Sequence, residues 1–347
     1  MRKKLVRIQF LYENVKGGAE KIAQHIIQQR KNDHNIIFYF KGFSFYLFSS
    51  AKQRKINRKK IFLILIFYKY RFSFISHFYQ NHIIALLLSL LVTKRINLAF
   101  LVHSGIYRNT FSKLYFIYII ILGFILRLFL KLRKNSRIIY TSKYSRKSHI
   151  NHLWPKSEVL YFDIPLNNKL SFFIQKNLEE SINIRIGFVG RYHIDKGIEL
   201  LIKILQEFDF KKNPKFKFDV LIPDLPSENN ITNHPMINIV NKTDNIYSFL
   251  SKIDILLIPS KNESYPIILL EAINAGCKII AANVGGISEN KSNLIKLLNN
   301  DDYKEWIKEI LISKPLTLNS RKKLINFSKD QANLDYYISR IEKNVGK

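Results

Sequence analysis

The stretch Ser260–Glu289, SKNESYPIILLEAINAGCKIIAANVGGISE, holds two carboxylates, Glu263 and Glu271, eight positions apart, with Pro266 and an apolar helical run between them. Just before it, Ile253–Ile258 is a short, almost wholly apolar run, the pattern of a buried strand. Just after the helical run, Lys278–Ala282 repeats that pattern and leads into Gly285–Gly286. Strand, loop, helix, strand and glycine pair in this order build a ligand crevice beyond the carboxyl ends of parallel strands. Pro266 suits the first helical turn, where a missing N–H costs nothing. The N–H groups of Ser264 to Ile268 then offer partial positive charge to an anion. Glu263 precedes the helix and Glu271 lies two turns in, too far apart to work as an acid–base pair on one atom. They fit better as hydroxyl acceptors at the two ends of a long polyhydroxylated ligand. Two surface carboxylates are the plainer reading, which the apolar neighbours Leu269, Leu270, Ala272 and Ile273 resist at Glu271.

Three further constellations occupy comparable positions. Gly187–Gly197, GFVGRYHIDKG, runs from a buried strand through a loop with Arg191 and Lys196 to a helix start. Two cations beside a helix N-terminus make a phosphate site, with Arg forking onto two oxygens and Lys acting as a point charge. A solvated loop with two ordinary cations is the alternative. Gly17–Gly18 precede the first helix and permit close backbone approach, or serve a plain tight turn. His103–Gly105 follow the strand Leu98–Val102, which aims His103 at the crevice unless it is a structural histidine. That all four loops follow a strand or open a helix carries more weight than any one of them.

The rest of the chain alternates in the same way. Leu5–Leu11, Ile36–Phe40, Ser73–Ser76, Leu98–Val102 and Ile138–Thr141 read as strands, with helices at Ala19–Gln29 and His82–Val92. Residues 42–60 are polar, basic and hard to assign. Pro155 to about Glu180 interrupts the pattern as a linker, after which Ile184–Val189, Phe218–Ile222 and Ile253–Ile258 resume it. The expected architecture is α/β: two Rossmann-like, doubly wound parallel-sheet domains, residues 1–165 and 166–330, facing across a cleft.

Charge divides the chain unevenly. Residues 1–160 hold 30 Lys and Arg against Glu13, Glu20, Asp33 and Glu158, which is +26 of the total +30, and no acid occurs from His34 through Ser157. Compositional drift does not explain acids vanishing from one half only. A polyanionic partner does: an anionic membrane, a nucleic acid or a phosphorylated substrate. No helix-turn-helix, zinc or RNA-recognition signature accompanies the basic stretches, so no nucleic acid is expected. Leu114–Leu126 is 13 residues without a charge, with 61–68 and 82–92 as shorter apolar runs. None reaches the length of about 18 that spans a bilayer. Residues 114–134, apolar and then basic at Arg127, Lys131, Arg133 and Lys134, fit either a core helix or a segment lying in an anionic headgroup layer. The single Cys277 excludes a disulfide scaffold or a cysteine zinc site, and the start of the chain reads as a buried strand rather than a signal peptide.

The pieces GGAEK, HSG, GRYHIDKG, DILLIPSKNESYPIILLEAINAGCKIIAANVGG and the terminal FS…YY segment, running from residue 17 to about 340, resemble the retaining glycosyltransferases of family 4, which have the GT-B fold. The resemblance implies that Arg191 and Lys196 hold the diphosphate of a nucleotide sugar. Glu271 would bind the ribose hydroxyls and Glu263 the donor sugar near the reacting carbon. The N–H groups of Tyr265, Pro266 onward, Ile267 and Ile268 would complete the donor site, although Pro266 itself has none to give. Gly18 would approach the phosphates and His103 the transferred sugar, while residues 331–347 would form a helix crossing back to the first domain. Lys278 stands where the family commonly has Pro, and Asp163 where Asn is frequent; the segment after Glu289 is short, which bears on the acceptor side. No Asp-x-Asp occurs, so no metal and no cofactor beyond the nucleotide-sugar substrate is expected. The implied activity is hexosyl transfer, with UDP the commonest carrier among relatives, to a glycan or lipid-linked acceptor in polysaccharide or lipopolysaccharide synthesis. The chain would be peripheral on the inner face of the cytoplasmic membrane. A nucleotide-sugar epimerase of the same fold, or a non-catalytic membrane or nucleic-acid adaptor, are the competing readings.

Overall fold

The computed structural model describes residues 5–11, 18–29, 34–39, 44–49, 52–56, 71–77, 79–91, 96–103, 112–132, 136–162, 183–231, 233–241, 243, 245–290, 292–299, 302–317, 319–320 and 339–340. Gly17, Ser104–Gly105, the apolar run 61–68, Arg133, Lys134, Asp163 and most of the terminal segment lie outside them. The chain divides into two compact units, Met1–Phe162 with Leu334–Lys347, and Asp163–Asn333.

The first unit is built on an eight-stranded sheet. Its strands are β1 (Leu5–Leu11), β2 (His34–Tyr39), β3 (Ser44–Ser49), β4 (Lys52–Ile56), β5 (Arg71–Ser76), β6 (Ile96–Val102), β7 (Ser136–Tyr140) and β8 (Glu158–Val159), in the order β4-β3-β2-β1-β5-β6-β7-β8. The strands β2, β1, β5, β6, β7 and β8 are parallel, and β3 and β4 add an antiparallel edge in the region left unassigned from sequence. Helices α1 (Gly18–Gln29), α2 (Tyr79–Leu91), α3 (Lys113–Leu132) and α4 (Lys143–Ile150) fall between strands. Val6, Ile8 and Phe10 alternate onto one face of β1, where Phe10 meets Phe38 and Phe74 edge-on at 5.7 and 5.4 Å.

Helix α3 differs from its sequence expectation. The uncharged run stops at Leu126, but the helix continues through Arg127 and Lys131 to Leu132, and these 20 residues are long and apolar enough, by length and composition, to cross a membrane. Its place in the β6–α3–β7 crossover holds it along the sheet instead, since β6 and β7 are adjacent parallel strands. Gly123 makes the packing possible: a Cβ there would stand 2.2 Å from the Trp154 ring. Trp154, fully buried, donates Nε1–H to the Ile119 carbonyl at 3.0 Å. At the other edge Arg340 pairs with Glu158, and Arg137 donates to the Arg340 carbonyl at 2.6 Å, fastening the terminal segment to β7 and β8.

The second unit is a six-stranded, wholly parallel sheet. Its strands are β9 (Ile184–Val189), β10 (Phe216–Leu221), β11 (Ile237–Val240), β12 (Ile255–Ile258), β13 (Lys278–Ala282) and β14 (Ile295–Leu298), in the order β11-β10-β9-β12-β13-β14. Helices α5 (Ile198–Glu207), α6 (Ile246–Leu250), α7 (Ile267–Asn274) and α8 (Tyr303–Ile312) cover it. Strand β12 shows why four apolar residues in a row are needed: Ile255 and Leu257 pack into one layer, Leu256 and Ile258 into the other. Arg185 forks onto Asp219 with two contacts of 2.8 Å, and Asn238 donates to the same carboxylate at 2.8 Å, tying three strands together. The chain runs outward from β9 through β10 to β11, then returns to the middle with β12. The strand order therefore reverses between β9 and β12.

Replacing Trp154 with Ala should lower the unfolding free energy by about 3–5 kcal/mol in a urea titration, because a large buried ring and its backbone bond are lost together. A loss below about 1 kcal/mol would mean that the pocket beside Gly123 refills.

Candidate functional site

The crevice at a strand-order reversal opens beyond the carboxyl ends of the two strands that flank it. In the second unit these strands are β9 and β12, and their following loops carry the two constellations read from sequence. The loops are knit together. Gly197, at φ 70°, closes the turn after β9, and a Cβ on it would lie 1.8 Å from the Pro259 carbonyl oxygen. The Lys261 N–H donates to the Asp195 carbonyl at 2.9 Å, and Asn262 Nδ2 to Asp195 Oδ1 at 3.2 Å. Lys196 Nζ thereby reaches Glu263 Oε1 at 2.5 Å, and the Ser260 hydroxyl donates to the same oxygen at 3.0 Å. Both donors converge on one carboxylate oxygen.

The glycine pair after β13 has a definite task. Gly285 stands at φ 55° with its would-be Cβ 1.6 Å from the Glu263 carbonyl oxygen, and the Gly286 N–H donates to that oxygen at 3.0 Å. No side chain fits at Gly285, so the pair clamps the Glu263 backbone from below. Helix α7 begins one residue later than the sequence suggests: Pro266 is its N-cap, extended at φ −72° and ψ 130°, and Ile267 and Ile268 form the first turn. First-turn N–H groups have no acceptor within a helix, which leaves them for an anion. Tyr265 lies in the loop between Glu263 and the cap. Ser264 is 6% exposed, and among the described residues its hydroxyl has no hydrogen-bond partner. Glu271 sits in the second turn at 3% exposure. Its charge, after burial, pushes the Tyr247 hydroxyl pKa upward. Arg191 is exposed at the start of its loop and is not in contact with Glu263 in the way Lys196 is. Among the described residues no group of three or more His, Cys, Asp and Glu is placed to hold a metal ion.

The first unit contributes its own set. Gly18 opens α1. His103 follows β6 and His77 follows β5; their rings stack at 5.2 Å, with His77 Nδ1 to His103 Nε2 at 3.0 Å. Gln9 decides the tautomers. Its amide Nε2 donates to the Ala23 carbonyl at 3.0 Å, so its Oε1 faces His77 Nε2 at 3.2 Å and accepts. His77 then carries its proton on Nε2 and accepts at Nδ1, which requires His103 to donate from Nε2. Behind this pair, His82 Nδ1 meets the Ser76 hydroxyl at 2.7 Å, and His149 bridges Tyr79 Oη at 2.8 Å and the Ser145 carbonyl at 2.7 Å. Burial holds all four imidazoles below their ordinary pKa, His103 and His149 at about 4, with neighbouring imidazoles adding to the effect at His77 and His82. The set is neutral near pH 7. Gln9 and His77 escaped the sequence reading, although His77 stands one residue past a strand just as His103 does. Ser260 and Asp195 were hidden for another reason: only the loop-to-loop contacts give them a role.

Residues 183–312 match the family model described as glycosyl transferases group 1. An uncharacterized glycosyltransferase of Methanocaldococcus jannaschii is 25% identical over 189 residues, 52% of this chain and 51% of that protein. An uncharacterized 42.6 kDa protein in the cps region of Klebsiella pneumoniae is 29% identical over 192 residues, 53% of this chain and 48% of its own. The chain spans about half the length of these curated relatives. Among solved structures, Anabaena HepE in complex with UDP and glucose superposes with a TM-score of 0.72 at 13% identity, over 98% of this chain and 99% of that one. Sucrose-phosphate synthase from Thermosynechococcus elongatus does so with a TM-score of 0.67 at 13% identity, over 99% of each chain. The fold is GT-B.

An imidazole with a lower pKa folded than unfolded binds its proton more readily in the unfolded chain. Its stabilising contribution is complete above the unfolded value of about 6.5 and is lost as pH falls toward the folded one. The melting temperature should therefore be flat in this respect above about pH 6.5 and fall between there and about pH 4. Nitrogen-detected NMR at neutral pH should find His77 and His103 both neutral and protonated on Nε2. A charged His77, or a proton on its Nδ1, would refute the tautomer chain.

Proposed function

We propose that this chain is a retaining, metal-independent hexosyltransferase. It takes its sugar from a nucleoside diphosphate sugar, with UDP as the carrier, and passes it to a glycan or lipid-linked acceptor in cell-surface polysaccharide or lipopolysaccharide synthesis. The observation that carries this reading is the Lys196–Glu263 pair at the strand-order reversal, beside the N-terminus of α7. The group 1 glycosyl transferase match over the same unit supports it. The UDP and UDP-glucose bound by HepE suggest the carrier, and the cps-region relative suggests the surface polysaccharide.

Glycosyl transfer is limited by departure of the leaving group. As the bond from the anomeric carbon to the diphosphate lengthens, negative charge grows on the phosphate oxygens, and donors already aimed there lower the barrier. Lys196 and Arg191 supply fixed positive charge, and the N–H groups of Ile267 and Ile268 supply oriented dipoles. The buried Ser264 hydroxyl is a further donor for a ligand oxygen. Glu263, its backbone clamped by Gly285–Gly286, accepts from sugar hydroxyls, and Glu271 from the ribose. His103, held neutral by burial, is assigned to the transferred sugar. The acceptor hydroxyl attacks on the face the diphosphate leaves, which retains the configuration without a covalent enzyme intermediate. With a lipid-linked acceptor, the protein would work peripherally at the inner face of the cytoplasmic membrane.

The test is a panel of sugar nucleotides, following nucleotide release with and without a lipid-linked acceptor. Acceptor-dependent release is expected. Lys196→Ala and Glu263→Ala should each cost about 3 kcal/mol, roughly a hundredfold in rate, the scale of one lost transition-state hydrogen bond. Near wild-type rates in both variants would refute the site. Interconversion of the donor sugar without an acceptor would indicate an epimerase, and no turnover of any donor an adaptor.

A further inference from the structure

Helix α3 is apolar on both faces. Ile119, Leu122, Leu126 and Phe129 face the core, as the crossover position requires. On the opposite side Leu114, Ile117, Ile121, Phe124, Leu128 and Leu132 recur every three or four residues and are 47% to 83% exposed. At 100° per residue they form one continuous row along the whole helix. Leu87 and Leu90 are likewise exposed on α2. The two helices are joined by the Tyr118 hydroxyl, which donates to the Tyr79 carbonyl at 3.2 Å. Single exposed leucines are ordinary; an uninterrupted row along a whole helix marks a docking face.

We propose that this face docks on an anionic lipid bilayer, with α3 lying in the plane of the headgroups. Three observations select this occupant. Lys113, Arg127 and Lys131 are exposed and fall together on one flank of the apolar row, where phosphate headgroups meet them while the row enters the acyl boundary. Between His34 and Ser157 the chain has no carboxylate to repel an anionic surface. The β6–α3–β7 crossover keeps the helix parallel to its sheet, so it lies on a membrane and does not cross one. A second copy of the chain is disfavoured because each copy carries a net charge of +30, which repels the other. The proposal deepens the membrane setting of the proposed function, and vesicle binding is read without a transfer assay, so failure of either is seen separately.

The experiment is flotation of the full chain with phosphatidylcholine vesicles and with vesicles that also contain phosphatidylglycerol. Binding should require the anionic lipid and weaken as salt is raised, since exposed charges are screened. The double variant Ile121→Glu, Leu128→Glu should reduce vesicle binding at least tenfold, and Arg127→Glu, Lys131→Glu should remove its dependence on anionic lipid. All four positions are solvent-exposed, so melting temperatures should stay near wild type; Leu114→Glu, Leu132→Glu at the helix ends serves if the central pair does not fold. Absence of salt-sensitive binding, or binding unchanged by the α3 variants, would overturn the proposal. So would a lipid-free dimer that Ile121→Glu, Leu128→Glu converts to monomer.

Discussion

The contact on which the candidate site depends is the approach of two backbones at Gly285 and Glu263, closer than any side chain allows. With a positive φ and the Glu263 carbonyl beneath it, Gly285 lets the turn after β13 press against the loop after β12. Gly197 performs the same task one loop over, against Pro259. Between these two approaches the loop from Pro259 to Glu263 has little freedom. Lys196 and Ser260 then converge on one carboxylate oxygen because their backbones have been placed to do so. A buffered lysine–carboxylate pair could form almost anywhere on a surface and contribute little. Here the loops fix it at the reversal of strand order, where a ligand's charge would be met by helix dipole and cation together.

The two units solve opposite electrostatic problems. The second concentrates ionised groups at one crevice and satisfies them there. The first carries most of the chain's positive charge, yet keeps its buried imidazoles neutral. Four imidazoles lie within its interior or at the ends of its strands, each held below its ordinary pKa by burial and each given a hydrogen-bond partner. Arg7 is buried against Asn35, while Lys113, Arg127 and Lys131 face outward. The long α3 helix combines with these three to give a surface that is apolar along its centre and cationic along one flank. A crossover helix normally turns its apolar residues to the sheet; this one has a second set, which is exposed among the described residues.

Strands and helices near the site were legible because burial on both sides of a parallel sheet forces long apolar runs. Ile255–Ile258 and Lys278–Ala282 stand out for this reason. The hairpin of β3 and β4 was not legible, since an edge pair with Lys52, Arg54 and Lys55 on one strand lacks the apolar signature of the interior. The full length of α3 was missed because Arg127 and Lys131 end an uncharged count without ending a helix. Glu263, Lys196, Arg191 and Glu271 could be singled out by residue type beside a predicted helix start or glycine. Gln9 and His77 could not, because their importance comes from a hydrogen-bond chain linking residues 68 positions apart.

What the sequence by itself determined is local: which segments alternate, where glycine and proline end them, and which loops carry charge. It also determined the asymmetry of charge, which no folding can alter. What only the tertiary structure decided is which of those loops meet. The strand order β11-β10-β9-β12-β13-β14 places the loop after β9 beside the loop after β12, although more than 60 residues separate Lys196 from Glu263. Sequence periodicity reports a strand's burial but not its neighbour, because hydrogen-bond partners in a parallel sheet are chosen by crossover path and packing rather than by any single residue. The exposed face of α3 follows the same logic: the residues are apolar in the sequence, but which side of the helix the sheet takes is settled only when the sheet is built.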